Sequence, residues 1–137
     1  MEKYKHSLEI QIRFSDIDPL NHVNNSCVFQ YYDLGRINYV ESVLGTDLDW
    51  TEVVVVIVHI EANFLSPILK SDKIVVETHL EGFGNKSMTM QQRIVDCRSG
   101  LIKSTCQTIL SGFDKRNSSS VVIGQAFKQR FMDYESS

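Results

Sequence analysis

The sequence predicts an α+β domain in which one long helix lies against a five-stranded antiparallel sheet. Three observations carry this. Apolar residues recur at three- and four-residue steps for about five turns beyond Asn25. Four segments rich in Val, Ile, Thr and Met follow that helix, and the junctions between the last three are short enough for hairpins. At 137 residues the chain fits one domain, 1–137, with 113–137 as a partly helical C-terminal extension.

Residues 4–14 alternate: His6, Leu8, Ile10, Ile12 and Phe14 point one way, and Ser7, Glu9, Gln11 and Arg13 the other. That is a half-buried strand. Ser15 to Asn25 collects Asp, Asn, Ser and Pro19, and reads as a loop. Asn24 or Asn25 caps the helix that follows, because either side chain can accept from backbone donors one turn on. Phe29, Tyr32, Arg36, Tyr39, Val40 and Val43 then form a stripe that is apolar apart from Arg36, and Gly45 stands where a C-terminal cap would end it. Gly35 lies mid-helix, at a cost of about 1 kcal/mol relative to Ala. Close approach of the helix backbone to a sheet would offset that cost.

Val53 to Phe64 is β-branched on both faces and is expected to be buried on both. Lys73–Glu81, Ser87–Cys97 and Leu101–Gly112 continue the strands as a meander, and Gln125–Tyr134 has helical character. A single helix covers only one face of five strands. The Val53–Val58 run therefore needs cover from another copy, and an obligate oligomer is expected.

Composition narrows the function. A hydrophobic share of 42% beside 23% charge is ordinary for a globular chain. Net charge is −3 and the pI about 5.8, without a dense Lys/Arg block, which argues against nucleic acid as partner. The longest apolar run, Val53–Val58, is far short of the roughly 20 residues a membrane helix needs. The charged start, MEKYKHSLEI, does not read as a signal peptide, so a cytoplasmic location is expected. Cys27, Cys97 and Cys106 are odd in number and form no CxxC pair, which fits a reducing compartment and neither a disulfide framework nor a zinc site.

Polar residues concentrate between Arg13 and Asn25, where Asp16, Asp18, Asn21, His22, Asn24 and Asn25 separate a strand end from a helix start. A helix start offers free backbone N–H groups and the positive end of a macrodipole, which can hold a developing oxyanion. A carboxylate just upstream, on a loop pinned by Pro19, could work on the same carbonyl carbon. Acyl transfer requires that combination. A calcium loop is excluded because Leu20 stands where an oxygen ligand is needed. Phosphatases with an aspartyl nucleophile want Thr or Val there, and a larger domain.

The segment Asp16-Ile17-Asp18-Pro19-Leu20-Asn21-His22-Val23-Asn24-Asn25, followed by Tyr31-Tyr32-Asp33-Leu34-Gly35-Arg36, resembles the 4-hydroxybenzoyl-CoA thioesterase family and its acyl-CoA relatives. The likeness spans residues 4–112. It implies a hotdog fold, a long central helix wrapped by a curved five-stranded antiparallel sheet, assembled as a homodimer or homotetramer. It also implies thioesterase activity on an acyl-CoA or acyl-carrier-protein thioester, with no metal or organic cofactor.

Roles follow from the resemblance. Asp18 matches the catalytic aspartate, acting as general base or nucleophile. The backbone amide of Asn25 matches the donor that polarises the thioester carbonyl. His22 and Asn24 would line the pocket, orient Asp18 or hold the water. Asp33 stands where many relatives carry Glu, and Gly35 where they carry Ala. The turn Asn85-Lys86-Ser87 matches the region where relatives hold CoA phosphates. Hotdog enoyl-CoA hydratases are the nearest alternative, but their His lies five residues after the Asp, within a Gly-Asp-x-Asn-Pro pattern, whereas His22 follows Asp18 by four. A non-catalytic acyl-thioester binding protein is the other.

Overall fold

In a computed structural model that describes residues 4–45 and 55–137, helix α1 (Asn25–Leu44) lies across a sheet built from β1 (His6–Ile10), β2 (Val55–Phe64), β3 (Ile74–Phe83), β4 (Ser87–Asp96) and β5 (Ile102–Asp114). A short β6 (Ser119–Ser120) pairs with β5, and α2 (Gln125–Ser136) closes the chain. This is the expected α+β layering, with the two-residue β6 as a sixth strand.

The start of α1 is set by Asn24, whose side-chain oxygen accepts from Ser26 N at 2.9 Å. Its end is Gly45, at φ 94°, whose N–H donates to Glu41 O at 2.8 Å. Val28, Tyr31, Tyr32, Tyr39, Val40 and Val43 face the sheet. Gly35 is there for proximity, since a Cβ on it would lie 2.5 Å from Val76 Cγ1. Arg36, the charge within the apolar stripe, is buried. Its guanidinium donates to Asp33 Oδ1 at 2.6 Å, and to Gln92 Oε1 and Thr108 Oγ1 at 3.2 Å each.

The strand order is β1-β3-β4-β5-β2, all antiparallel. Only β3-β4-β5 forms the expected meander. β2 crosses to the far edge and, among the described residues, pairs with β5 alone, so a strand expected to be buried on both faces is half exposed, with Val58 at 60%. Val53 and Val54, the start of that run, lie outside the described residues. Phe14 also departs from the alternation of residues 4–14. β1 stops at Ile10, Phe14 opens a 3₁₀ turn, and its ring is 82% exposed. The tail is not peripheral: Ile123 and Phe131 are buried together with Tyr39, Met88, Met90 and Leu110.

Candidate active site

The Asp18 loop is held from both ends. Asp16, only 1% exposed, anchors the first. Its carboxylate accepts from the Tyr31 hydroxyl at 2.6 Å, and from Arg13 through both the backbone N–H and the guanidinium at 3.1 Å. Burial alone would raise the Asp16 pKa, but these hydrogen bonds outweigh it and hold the carboxyl below its usual range. At the other end the Asp16 carbonyl accepts from Asn24 N at 2.9 Å, and Ile68 O accepts from Val23 N at 2.8 Å. The loop between is a tight turn. Asp18 N donates to His22 O, Asn21 N donates to Asp18 O, and Asn21 takes a positive φ of 67°.

Asp18 uses one carboxylate oxygen on this turn, accepting from Leu20 N at 2.9 Å. The other lies 3.9 Å from His22 Nδ1. His22 and Asn25 both line a cleft of about 180 Å³ with Val28, Phe64, Ser66 and Lys103. Asp18 adjoins this cleft through His22 and is not itself on its wall. In the first turn of α1, Ser26 N donates to the Asn24 side chain, and Cys27 N and Val28 N donate to Asn24 O. The Asn25 amide has no acceptor among the described residues. The cleft therefore has an open backbone donor at the head of a helix and a carboxylate–imidazole pair beside it.

Other expected residues lie elsewhere. The Asn24 side-chain oxygen is committed to the cap, accepting from Ser26 N and from Ser26 Oγ at 2.7 Å. Asp33 sits two turns down α1, exposed and paired with Arg36. Lys86 and Ser87 are at the turn between β3 and β4. Within one protomer the cleft residue Ser104 pairs with Ile94, seven residues along β4 from Ser87, so this turn lies about 23 Å away at ~3.3 Å per residue. Burial, then the Asp16 charge, push the Cys27 thiol up, so it stays protonated and is a poor nucleophile. Among the described residues no three His, Cys, Asp or Glu come together to hold a metal ion.

Sequence reasoning missed three contributors. Tyr31 reads as core by its spacing, yet its hydroxyl anchors Asp16. Lys103 and Ser104 line the cleft from β5, and no motif signals them.

A family model described as the thioesterase-like superfamily matches residues 12–131. Among solved structures, a thioesterase from Thermus thermophilus complexed with coenzyme A and Zn is 26% identical, with a TM-score of 0.86, covering 100% of this chain and 98% of that one. A 1,4-dihydroxy-2-naphthoyl-CoA thioesterase from Synechocystis is 15% identical, with a TM-score of 0.82 and coverage of 93% and 96%. A hypothetical protein from Staphylococcus aureus in complex with CoA is 14% identical, with a TM-score of 0.86 and coverage of 99% and 87%. No curated protein matches the chain.

Proposed function

We propose, since the chain belongs to the thioesterase-like superfamily and is a thioester hydrolase of hotdog fold, that it hydrolyses acyl-CoA with Asp18 as the catalytic carboxylate and the Asn25 amide as oxyanion donor. The observation that carries this reading is the Asn25 N–H, left without an acceptor on a cleft that it shares with His22, the neighbour of Asp18. The thioester carbonyl oxygen would sit on that amide. In one route Asp18 takes a proton from water as the hydroxide adds to the carbonyl carbon; the C–S bond then breaks, and the CoA thiolate takes the proton back. In the other, Asp18 attacks the carbonyl carbon directly and the C–S bond breaks to expel CoA thiolate; water then opens the resulting acyl anhydride, returning the Asp18 carboxylate and the free acid, and the thiolate takes the proton that water releases. A positioned base is worth about 10²–10⁴ in rate, and one oxyanion donor about 10²–10³. Mass spectrometry of quenched enzyme separates the routes, because only the second leaves the acyl group on Asp18.

A homodimer completes this reading. Among the described residues β2 is an edge strand without a second partner, and it exposes Ile57, Val58 and Phe64; an edge of that kind invites another copy. Antiparallel pairing of two β2 strands about a two-fold axis would set the Val55 end of one beside the Phe64 end of the other. Ser87 pairs with Ser111 next to the Val55 partner Gly112. The second copy's Lys86–Ser87 turn would then approach the cleft, where it could meet CoA phosphates. Among the described residues no helix is long and apolar enough to cross a membrane. The three free thiols, Cys27, Cys97 and Cys106, support a cytoplasmic setting.

The test is a panel of aromatic and aliphatic acyl-CoA and acyl-carrier-protein esters assayed for thiol release. Release supports the hydrolase and ranks the esters. Loss of enoyl absorbance without thiol would replace it with a hydratase, and tight binding with neither would leave a carrier.

A further inference from the structure

We propose that Lys103 is a positioning residue, and that its buried ion pair with Asp72 is a strut holding the catalytic loop in register with the head of α1. The inference rests on reading Asp18 and Asn25 as the reacting groups.

Lys103 lies on β5, and only 6% of it is exposed. Its ammonium donates to Pro67 O at 2.9 Å and lies 3.0 Å from Asp72 Oδ2. Both partners belong to the connector 65–73 that leads from β2 to β3. The backbone of Lys103 holds the start of the same connector, because its carbonyl accepts from Leu65 N at 2.9 Å and Ser66 N at 3.1 Å. Asp72 closes a small turn in it by accepting from Leu69 N at 2.8 Å. Between these anchors, Ile68 O accepts from Val23 N, and Leu69 bridges to His22. His22 O in turn accepts from Asp18 N. A continuous chain of short contacts thus runs from the Lys103 ammonium to the Asp18 backbone.

The chemistry of the pair points the same way. Lysine is rarely buried, and burying an ammonium with a carboxylate is costly enough that apolar residues of similar size often stabilise as well. Stability alone therefore does not account for a lysine here. What the pair adds is direction. Two charge-assisted contacts fix the connector at Pro67 and Asp72, on either side of the two residues that touch the catalytic loop. Lys103 also lines the cleft with His22 and Asn25, so a shift of the connector moves the cleft wall as well as the loop.

The experiment compares Lys103→Met, Lys103→Met/Asp72→Asn and Lys103→Arg by melting temperature, amide exchange at Val23, and kcat for the best ester of the panel. Lys103→Met leaves the Asp72 carboxylate, its side chain only 12% exposed, without its cation. It should melt lower, exchange Val23 faster and lose about 10- to 100-fold in kcat, the penalty for misplaced reacting groups. The double variant carries no buried charge and keeps an acceptor for Leu69 N. It should recover melting temperature without recovering Val23 protection or kcat. Lys103→Arg should restore part of both, even if the single Met variant fails to fold. A double variant with wild-type Val23 exchange and wild-type kcat would overturn the proposal, leaving the pair merely structural. Should the wild type release no thiol from any ester, the functional reading fails, and Val23 exchange still decides whether the strut tethers the loop.

Discussion

Replacing Asp18 by Asn isolates the charge of the carboxylate from its shape. One oxygen of Asp18 accepts from Leu20 N at 2.9 Å, and the Asn side-chain oxygen can take over that bond. The fold therefore loses only the difference between a charged and a neutral acceptor, about 0.5–1.5 kcal/mol. In a chain of 137 residues that is a fall of a few degrees in melting temperature, at about 2–8 °C per kcal/mol. The other position, 3.9 Å from His22 Nδ1, becomes an NH2 that can neither accept a proton nor attack a carbonyl. Removing a positioned base costs about 10²–10⁴ in rate, equivalent to about 3–5 kcal/mol of barrier. The loss in kcat should thus exceed any loss in stability several-fold in energy. Thiol release and thermal unfolding measured on the same preparation separate the two. Undiminished turnover in a folded Asp18→Asn protein would refute the assignment, because the side-chain amide that replaces the carboxylate can neither take a proton from water nor attack the carbonyl carbon.

A lysine at Val58 places a charge on the exposed β2 edge. Val58→Lys should yield monomers by sedimentation and reduce turnover with them, and an unchanged dimer would remove β2 from the interface. Gly35→Ala gains about 1 kcal/mol of helix propensity but presses its Cβ to 2.5 Å from Val76, where overpacking costs about 1–3 kcal/mol. The net loss should be up to about 2 kcal/mol by denaturant unfolding, and a clear gain in stability would mean that the sheet yields freely. Asp16 sets an acid limit. Although burial works to raise its carboxyl, the Tyr31 and Arg13 bonds depress it below 3.8. Its stabilising contribution is therefore complete above that value and lost as pH falls through the lower folded one. Asp16→Asn should be less stable near neutrality yet flatter below about pH 4 in urea titrations, and parallel profiles would contradict the depressed carboxyl.

Local features were legible in the residues alone, because their causes are local. Asn24 caps α1 through a contact two residues long, the stripe from Tyr32 to Val43 follows helical spacing, and Gly35 announced the close approach that Val76 makes. The Asp18–Asn25 stretch is also contiguous, so the chemistry it could support was readable before any coordinates. Alternation says which face of a strand is apolar but not which strand lies beside it. The folded chain alone decided that β2 would stand at the edge next to β5. That placement turned Ile57 and Val58 outward and set Lys86 at the far end of the sheet from Asn25. Lys103 entered the cleft for the same reason. Its partners Asp72 and Pro67 lie more than thirty residues earlier, brought close by ladder hydrogen bonds that leave no periodic trace in the sequence.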